Sequence, residues 1–346
     1  MTVVDLSVVI PAFNSARYIL ETLEHIESAA KSFDGNIQVV IIDDGSTDDT
    51  IQVLDDFSRQ TPLKLTVETT VNSGVFVACW RGAELAEYDW IVILNSRQLV
   101  RGDFFLEWQR ANSERPELKS WVSHVETDAT APLVGHFWSL PTSVFWGSYW
   151  RHKTRTFITP DNFDKVPKGT GGLFIVRDLF LSACTAMKPN KNQRFVSDDT
   201  KLLRYVCEHT PIVIEPRIFS TYRPRTTVFS FLRHGFNRGT LFIDSYMSTS
   251  LTRFAVLATL TAGPILAILV SLLVPGLLGL TVTGLAVLFG LATLSLLAIG
   301  WLNKAPLRGI QSFAVFALPF AFVFWAGLVR GIFVHWKSIR PKSGKF

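Results

Sequence analysis

Two unbroken apolar runs open the chain, and each ends in a turn. Leu6-Ser7-Val8-Val9-Ile10 leads into Pro11-Ala12-Phe13-Asn14, and Val39-Val40-Ile41-Ile42 leads into Asp43-Asp44-Gly45-Ser46-Thr47-Asp48. Runs rich in β-branched residues without polar alternation predict strands buried on both faces, as inside a parallel sheet. The stretch between them, about thirty residues, suits the crossover helix of a βαβ unit. Gly45 permits a tight turn, and Ser46, Thr47 or Asp48 can cap a helix starting near Asp49. The alternation continues with strands at Leu63–Val67 and Trp90–Leu94 and a helix over Ser73–Ala86, so the fold class is α/β. Beyond residue 253 the pattern changes. Phe254–Val274, Gly276–Gly300 and Ile310–Val334 are apolar throughout, each long enough for a bilayer crossing of about 20 residues. Pro264 and Pro319 would kink the first and third, which membrane helices tolerate.

Composition sharpens that picture. Of 346 residues 48% are hydrophobic, and the mean hydropathy of +0.27 is high for a soluble protein. The net charge is +5, and basic residues gather beside the apolar helices: Arg223, Arg225, Arg233, Arg238, Arg253, then Lys304 and Arg308. This suits cytosolic loops on anionic lipid better than nucleic-acid binding, for which no module is present. Three crossings would leave the tail residues Lys337, Arg340, Lys342 and Lys345 on the far side, against the positive-inside rule. Either one segment is re-entrant or the rule is broken there. No signal peptide precedes the first strand, so the N-terminal domain is expected in the cytosol. Cys79, Cys184 and Cys207 have no metal-like spacing and read as reduced thiols. His124 and His136 are expected to be packed or solvated.

Candidate chemistry lies at strand ends. Asp43 and Asp44 stand where open α/β sheets bind ligands, and carboxylates accept hydrogen bonds from nucleobase N–H and ribose hydroxyl groups. Helix capping is the competing role. Lys168-Gly169-Thr170-Gly171-Gly172 is a glycine-rich loop entering a strand, without P-loop spacing. Ser197-Asp198-Asp199-Thr200 opens a helix with Leu202, Leu203 and Val206 on its apolar side; acids are also favoured there by the helix dipole alone. The aromatic stretch Phe137-Trp138 to Tyr149-Trp150 suits a sugar platform, a headgroup layer or ordinary packing.

Together, Ser-Val-Val-Ile-Pro-Ala-Phe-Asn and Val-Val-Ile-Ile-Asp-Asp-Gly-Ser-Thr-Asp resemble the opening of family-2 glycosyltransferases, inverting enzymes of the glycosyltransferase-A, Rossmann-like fold. The resemblance extends over roughly residues 5 to 240. It implies a donor nucleotide held by Pro11, Ala12, Phe13, Asp43 and Asp44, with Asp43 nearest the base. Asn72-Ser73-Gly74 resembles the family's Asn-x-Gly turn near the donor. Asn95-Ser96-Arg97-Gln98 departs from the family's Asp-x-Asp metal motif. Asn95 still offers a carbonyl oxygen, but Arg97 has no acceptor, and its guanidinium suits phosphate instead. A divalent cation (Mg2+ or Mn2+) and metal independence both remain open. The resemblance also implies that Gly169, Thr170, Gly171 and Gly172 line the acceptor side. In the family's Glu-Asp motif, Asp198 replaces the Glu and Asp199 takes the general base. Arg233 and Arg238 would contact diphosphate or lipid. The Gln-x-x-Arg-Trp motif of processive relatives is absent.

The expected organisation is a cytosolic catalytic domain over 1–222, a basic interfacial amphipathic segment over 223–253, about three transmembrane helices over 254–336 and a basic tail over 337–346. The expected activity is transfer of a single sugar, with inversion, from a nucleotide-diphosphate sugar to a hydroxyl of a lipid-linked or cell-envelope glycan. Alternatives are a polyprenyl-phosphate hexose synthase and a catalytically silent scaffold. The expected location is the cell's inner membrane, with membrane lipid as a partner and no nucleic acid.

Overall fold

A computed structural model of the chain describes residues 3–187, 200–247 and 250–336. Its contacts divide it into two units, Met1–Ala129 with His152–Pro224, and Thr130–Arg151 with Arg225–Phe346.

The first unit begins as its apolar runs predict. Strands β1 (Leu6–Ala12), β2 (Ile37–Asp43), β3 (Lys64–Thr69) and β4 (Trp90–Ile93) alternate with helices α1 (Ala16–Ala30), α2 (Thr50–Ser58) and α3 (Val75–Leu85). These strands pair in parallel in the order β3-β2-β1-β4. Val8, Val9, Ile10 and Val39 to Ile42 are fully buried, because helices cover both faces of a parallel sheet. The chain continues through β5 (Gln98–Val100), α4 (Phe104–Glu114) and β6 (Ser120–Thr127). It leaves for the second unit through α5 (Ser139–Phe145) and α6 (Gly147–His152), then returns as β7 (Thr156–Ile158), β8 (Leu173–Val176), α7 (Arg177–Met187), α8 (Thr200–His209) and β9 (Ile212–Tyr222). The nine-stranded sheet extends past β4 as β8-β6-β9-β5, with β7 on β9. Strand β8 is antiparallel to both β4 and β6, and β9 is parallel to β6. The carboxyl ends of β1, β2, β4, β6 and β9 therefore share one edge. Leu202, Leu203 and Val206 of α8 are buried as their spacing predicts.

The second unit holds α9 (Val228–Tyr246), α10 (Leu251–Leu272), α11 (Leu277–Leu302) and α12 (Leu307–His335). The last three are long and apolar enough to cross a membrane. Thr227 and Ser250 cap α9 and α10, accepting hydrogen bonds from the backbone N–H groups of Ser230 and Arg253.

Residues 130–151 were assigned from sequence to the catalytic domain, yet they pack with these helices. The reason is aromatic. Phe137 is buried, its ring centroid 4.9 Å from Phe231, 5.1 Å from Phe313 and 4.5 Å from Phe320. Asn303 fastens the same segment, donating to the Ser143 carbonyl and accepting from Arg151. Phe137 and Tyr149 are thus core, the three tryptophans are half-buried, and Phe145 is exposed. Arg223, grouped from sequence with the membrane-proximal segment, belongs to the first unit, which ends at Pro224.

Helix α9 packs against α12. Gly239 faces Gly327, Gly235 meets Phe320, Gly331 meets Ile243 and the Thr240 carbonyl, and a Cβ on Gly239 would overlap the Phe324 carbonyl oxygen. The two backbones approach closely through a small-xxx-small pattern on each helix. Thr240 adds a hydrogen bond to the Gly327 carbonyl at 3.2 Å.

Candidate functional site

At the shared edge the β1 and β2 turns are laced together. Ala12 pairs with Asp43, and Phe13 beyond it is exposed. Asn14 adopts a positive φ of 48°, its backbone N–H donates to Ser46 Oγ, and its side-chain oxygen accepts from the Thr47 N–H. Of the capping candidates after β2, Asp48 does the work. One of its oxygens accepts from the Thr50 N–H, the other from the Ala16 N–H, so one carboxylate ties the starts of α1 and α2.

The adjacent acids have different tasks. Asp43 is fully buried and accepts from the Ser46 N–H at 3.2 Å, which holds the Gly45 turn shut. Asp44 spreads both oxygens over the next loop, accepting from the Ser73 N–H at 2.7 Å and the Gly74 N–H at 2.8 Å. Those amides are orphan donors at the start of α3. Asn72, half-buried, sits in the loop that this clamp fixes. Gly45 has a φ of 74°, and a Cβ there would press on Asn72 N and the Thr70 carbonyl.

After β4 the chain turns through Asn95-Ser96-Arg97. Asn95 Oδ1 accepts from the Arg97 N–H at 3.0 Å, and Ser96 Oγ is 2.9 Å from Ser15 Oγ. The Arg97 guanidinium lies over the Tyr18 ring at 4.0 Å, and Arg17 and Arg223 each stand 5.5 Å from the same ring. The Arg223 N–H donates to the Arg97 carbonyl, and its side chain pairs with Glu21. Arg97 was anticipated from sequence, whereas Tyr18, Arg17 and Arg223 were not. The missed signal is Arg17-Tyr18 in the first turn of the helix after β1, which places both at the ligand edge.

The glycine-rich loop enters β8 beside this turn. The Gly172 N–H donates to the Ile93 carbonyl at the end of β4, and its own carbonyl accepts from Ser123 N. Gly172 has a φ of 82°, and a Cβ would overlap Ser123 Oγ; one on Gly171 would press on Gln98. Gly169 and Thr170 complete the loop, with open space around Gly169. The edge also carries His124, Glu126 and Lys153. His124 is buried and hydrogen-bonded to Glu126 at 3.0 Å. Burial pushes its pKa down against the pull of Glu126. Burial pushes Glu126 up, but Lys153 and His124 hold it below the usual carboxylate range.

At the expected metal position only Asn95 Oδ1 offers an oxygen, one of its lone pairs already accepts from the Arg97 N–H, and the neighbouring guanidinium repels a cation. Among the described residues no group of three or more His, Cys, Asp or Glu is placed to hold a metal ion. Asp198 and Asp199 lie outside the described residues. Arg233 and Arg238 belong to the second unit, where Arg238 lies 4.8 Å over the Trp138 ring.

Residues 7–104 match the family described as Glycosyl transferase family 2. The chain is 31% identical over 96 residues to Glycosyltransferase GlyG of Streptococcus pneumoniae serotype 4, covering 28% of this chain and 31% of that one. It is 30% identical over 90 residues to a PGL/p-HBAD biosynthesis glycosyltransferase of Mycobacterium bovis, covering 26% of this chain and 34% of the relative. The chain thus spans only 31% and 34% of the length of these curated relatives. In three dimensions it is similar to the mannosyltransferase PcManGT from Pyrobaculum calidifontis, solved in complex with GDP-Man and Mn2+. The TM-score is 0.56 at 15% identity, over 96% of this chain and 88% of that one. That likeness concerns the fold.

Proposed function

Because the chain carries a glycosyl transferase family 2 domain within a glycosyltransferase-A fold, we propose that it is a membrane-bound inverting enzyme. It moves one sugar from a nucleotide-diphosphate donor to a hydroxyl of a lipid-linked or cell-envelope glycan. The observation that carries this reading is the edge where the Asp43-Asp44 turn, the Arg97–Tyr18 stack and the Gly169–Gly172 loop converge. GDP-Man in the structural neighbour supports a nucleotide-sugar donor, and the name of the Mycobacterium relative, a biosynthesis glycosyltransferase, supports glycosyl transfer.

In this scheme the loops ending β1 and β2 hold the nucleoside, with Asp43 toward the base. Arg97, Arg17 and Arg223 surround one ring and supply positive charge to the diphosphate, which a metal supplies in the usual motif. Asp199 takes the proton of the acceptor hydroxyl as its oxygen attacks the anomeric carbon. The bond from that carbon to the diphosphate breaks, the nucleoside diphosphate leaves, and the carbon inverts. The backbone-lined Gly169–Gly172 loop gives the acceptor close approach.

The test is binding of UDP, GDP and TDP to the purified protein in manganese and in EDTA, repeated with Arg97→Ala and Asp199→Asn. Binding is expected to survive EDTA and to weaken about tenfold or more in Arg97→Ala, in line with loss of a charged hydrogen bond. Asp199→Asn should bind normally and lose about 10²–10⁴ in turnover. A protein that binds no nucleotide refutes the reading.

A further inference from the structure

Helix α12 has two unlike faces. Leu307, Val315, Leu318, Phe322, Phe333 and Trp336, on or just beyond it, are exposed. At the α-helical turn angle they fall in an arc of about 80°, which also holds Gln311 and the half-buried Trp325 and Val329. Gly309, Phe313, Ala317, Gly327, Leu328 and Gly331 are buried and point the other way. Residues 136–140 cover the first half of the buried face and α9 covers the second.

What α9 brings with it is decisive. It runs alongside α12 in the same direction: Gly235 meets Phe320, Gly239 meets Gly327, and Asp244 stands 3.7 Å from His335. The pair therefore carries Arg233, His234, Arg238 and Asp244 beside Arg330, whose guanidinium lies 5.3 Å over the Phe236 ring. Such a set is expensive within hydrocarbon.

The neighbouring helices meet α12 at opposite ends. Trp325 of α12 donates to the Thr261 carbonyl of α10, and Leu257 packs with Ile243 and Leu328. Phe289 and Leu296 of α11 instead join the cluster around Phe313 and Ala305. Between those contacts the hairpin projects outward, with Leu266, Leu269, Leu273, Leu280 and Leu288 exposed. A third span bundled with this hairpin would accompany it toward its tip.

We propose that α12 and α9 lie together in the plane of the membrane surface, that the apolar stripe of α12 sinks into the acyl layer, and that α10 and α11 alone cross. Two crossings return Lys337, Arg340, Lys342 and Lys345 to the side of the N-terminal domain, as the positive-inside rule requires. This rests on the membrane-bound reading of these helices and not on the sugar chemistry, so the test reads side and depth rather than turnover.

The full chain, with a peptide tag after Phe346, is placed in sealed vesicles of phosphatidylethanolamine and phosphatidylglycerol and treated with protease. Wherever the N-terminal domain is digested the tag should be lost with it; a tag protected in those vesicles overturns the proposal. Nitroxide labels on Val315→Cys, Phe322→Cys and Phe333→Cys then report depth, the native cysteines being buried. Three similar, shallow depths are expected. A deep Phe322 position flanked by shallow ones would mean a third span. Labels shielded from lipid by a second copy would mean a protein interface. Either result overturns the in-plane placement.

Discussion

Asp44 carries the most consequence for its size. Its two oxygens satisfy two adjacent backbone donors, so a single carboxylate sets the start of α3 and the loop holding Asn72. Asp44→Ala leaves both amides without their charged acceptor and should cost about 2–4 kcal/mol. Thermal unfolding of the purified protein would read this as a lower Tm, and nucleotide binding should weaken as the loop loosens. The acid pair was legible in the sequence because a buried strand ended there; the division of labour within it was not. Which carboxylate turns toward a loop depends on a segment about thirty residues downstream, and no local pattern reports that. Tyr18 was missed for a similar reason. Its role comes from Arg97 and Arg223, which only the folded sheet brings to its ring. Arg97 itself was legible because it stood where an acid was expected.

Elements were read well where periodicity was strong and poorly where strands were short. The parallel half β1 to β4 and the three apolar helices follow from their hydrophobic runs. The antiparallel half includes three-residue strands β5 and β7, too short to carry a period. Around β9, Glu114 of α4 is hydrogen-bonded by Arg217 and Arg155, which hold its carboxyl down to about 2. A depressed carboxyl stabilises the fold in full above the ordinary range and loses that contribution as pH falls. Stability should therefore decline from about pH 4.3 toward 2, and Glu114→Gln should flatten that limb of a pH titration of unfolding. The α9–α12 contact was not legible because residues 223–253 were read as an interfacial segment against lipid, and the glycines that let two backbones approach carry no hydrophobic period. Gly327→Leu forces a side chain against the Phe236 carbonyl and should cost at least about 1–3 kcal/mol. Thermal unfolding of the purified variant should read this as a lower Tm than the parent's.

The whole chain passes between its two units three times, because residues 130–151 leave the first and join the second. Truncation after Pro224 therefore does more than remove membrane helices. It strips Val134, Phe137 and Leu140 of Phe231, Phe313 and Ala317. The truncated protein should aggregate, while the same truncation with residues 130–151 replaced by a short Gly-Ser linker should stay monomeric by size-exclusion chromatography. The excursion also sets a clock on synthesis. Phe137 leaves the ribosome roughly 180 residues before Phe313, so at about 5–20 residues per second its partner follows on the order of 10–40 s later. Through that interval the aromatic segment has none of its α12 cover, and Phe313 and Ala317 are the residues that supply it.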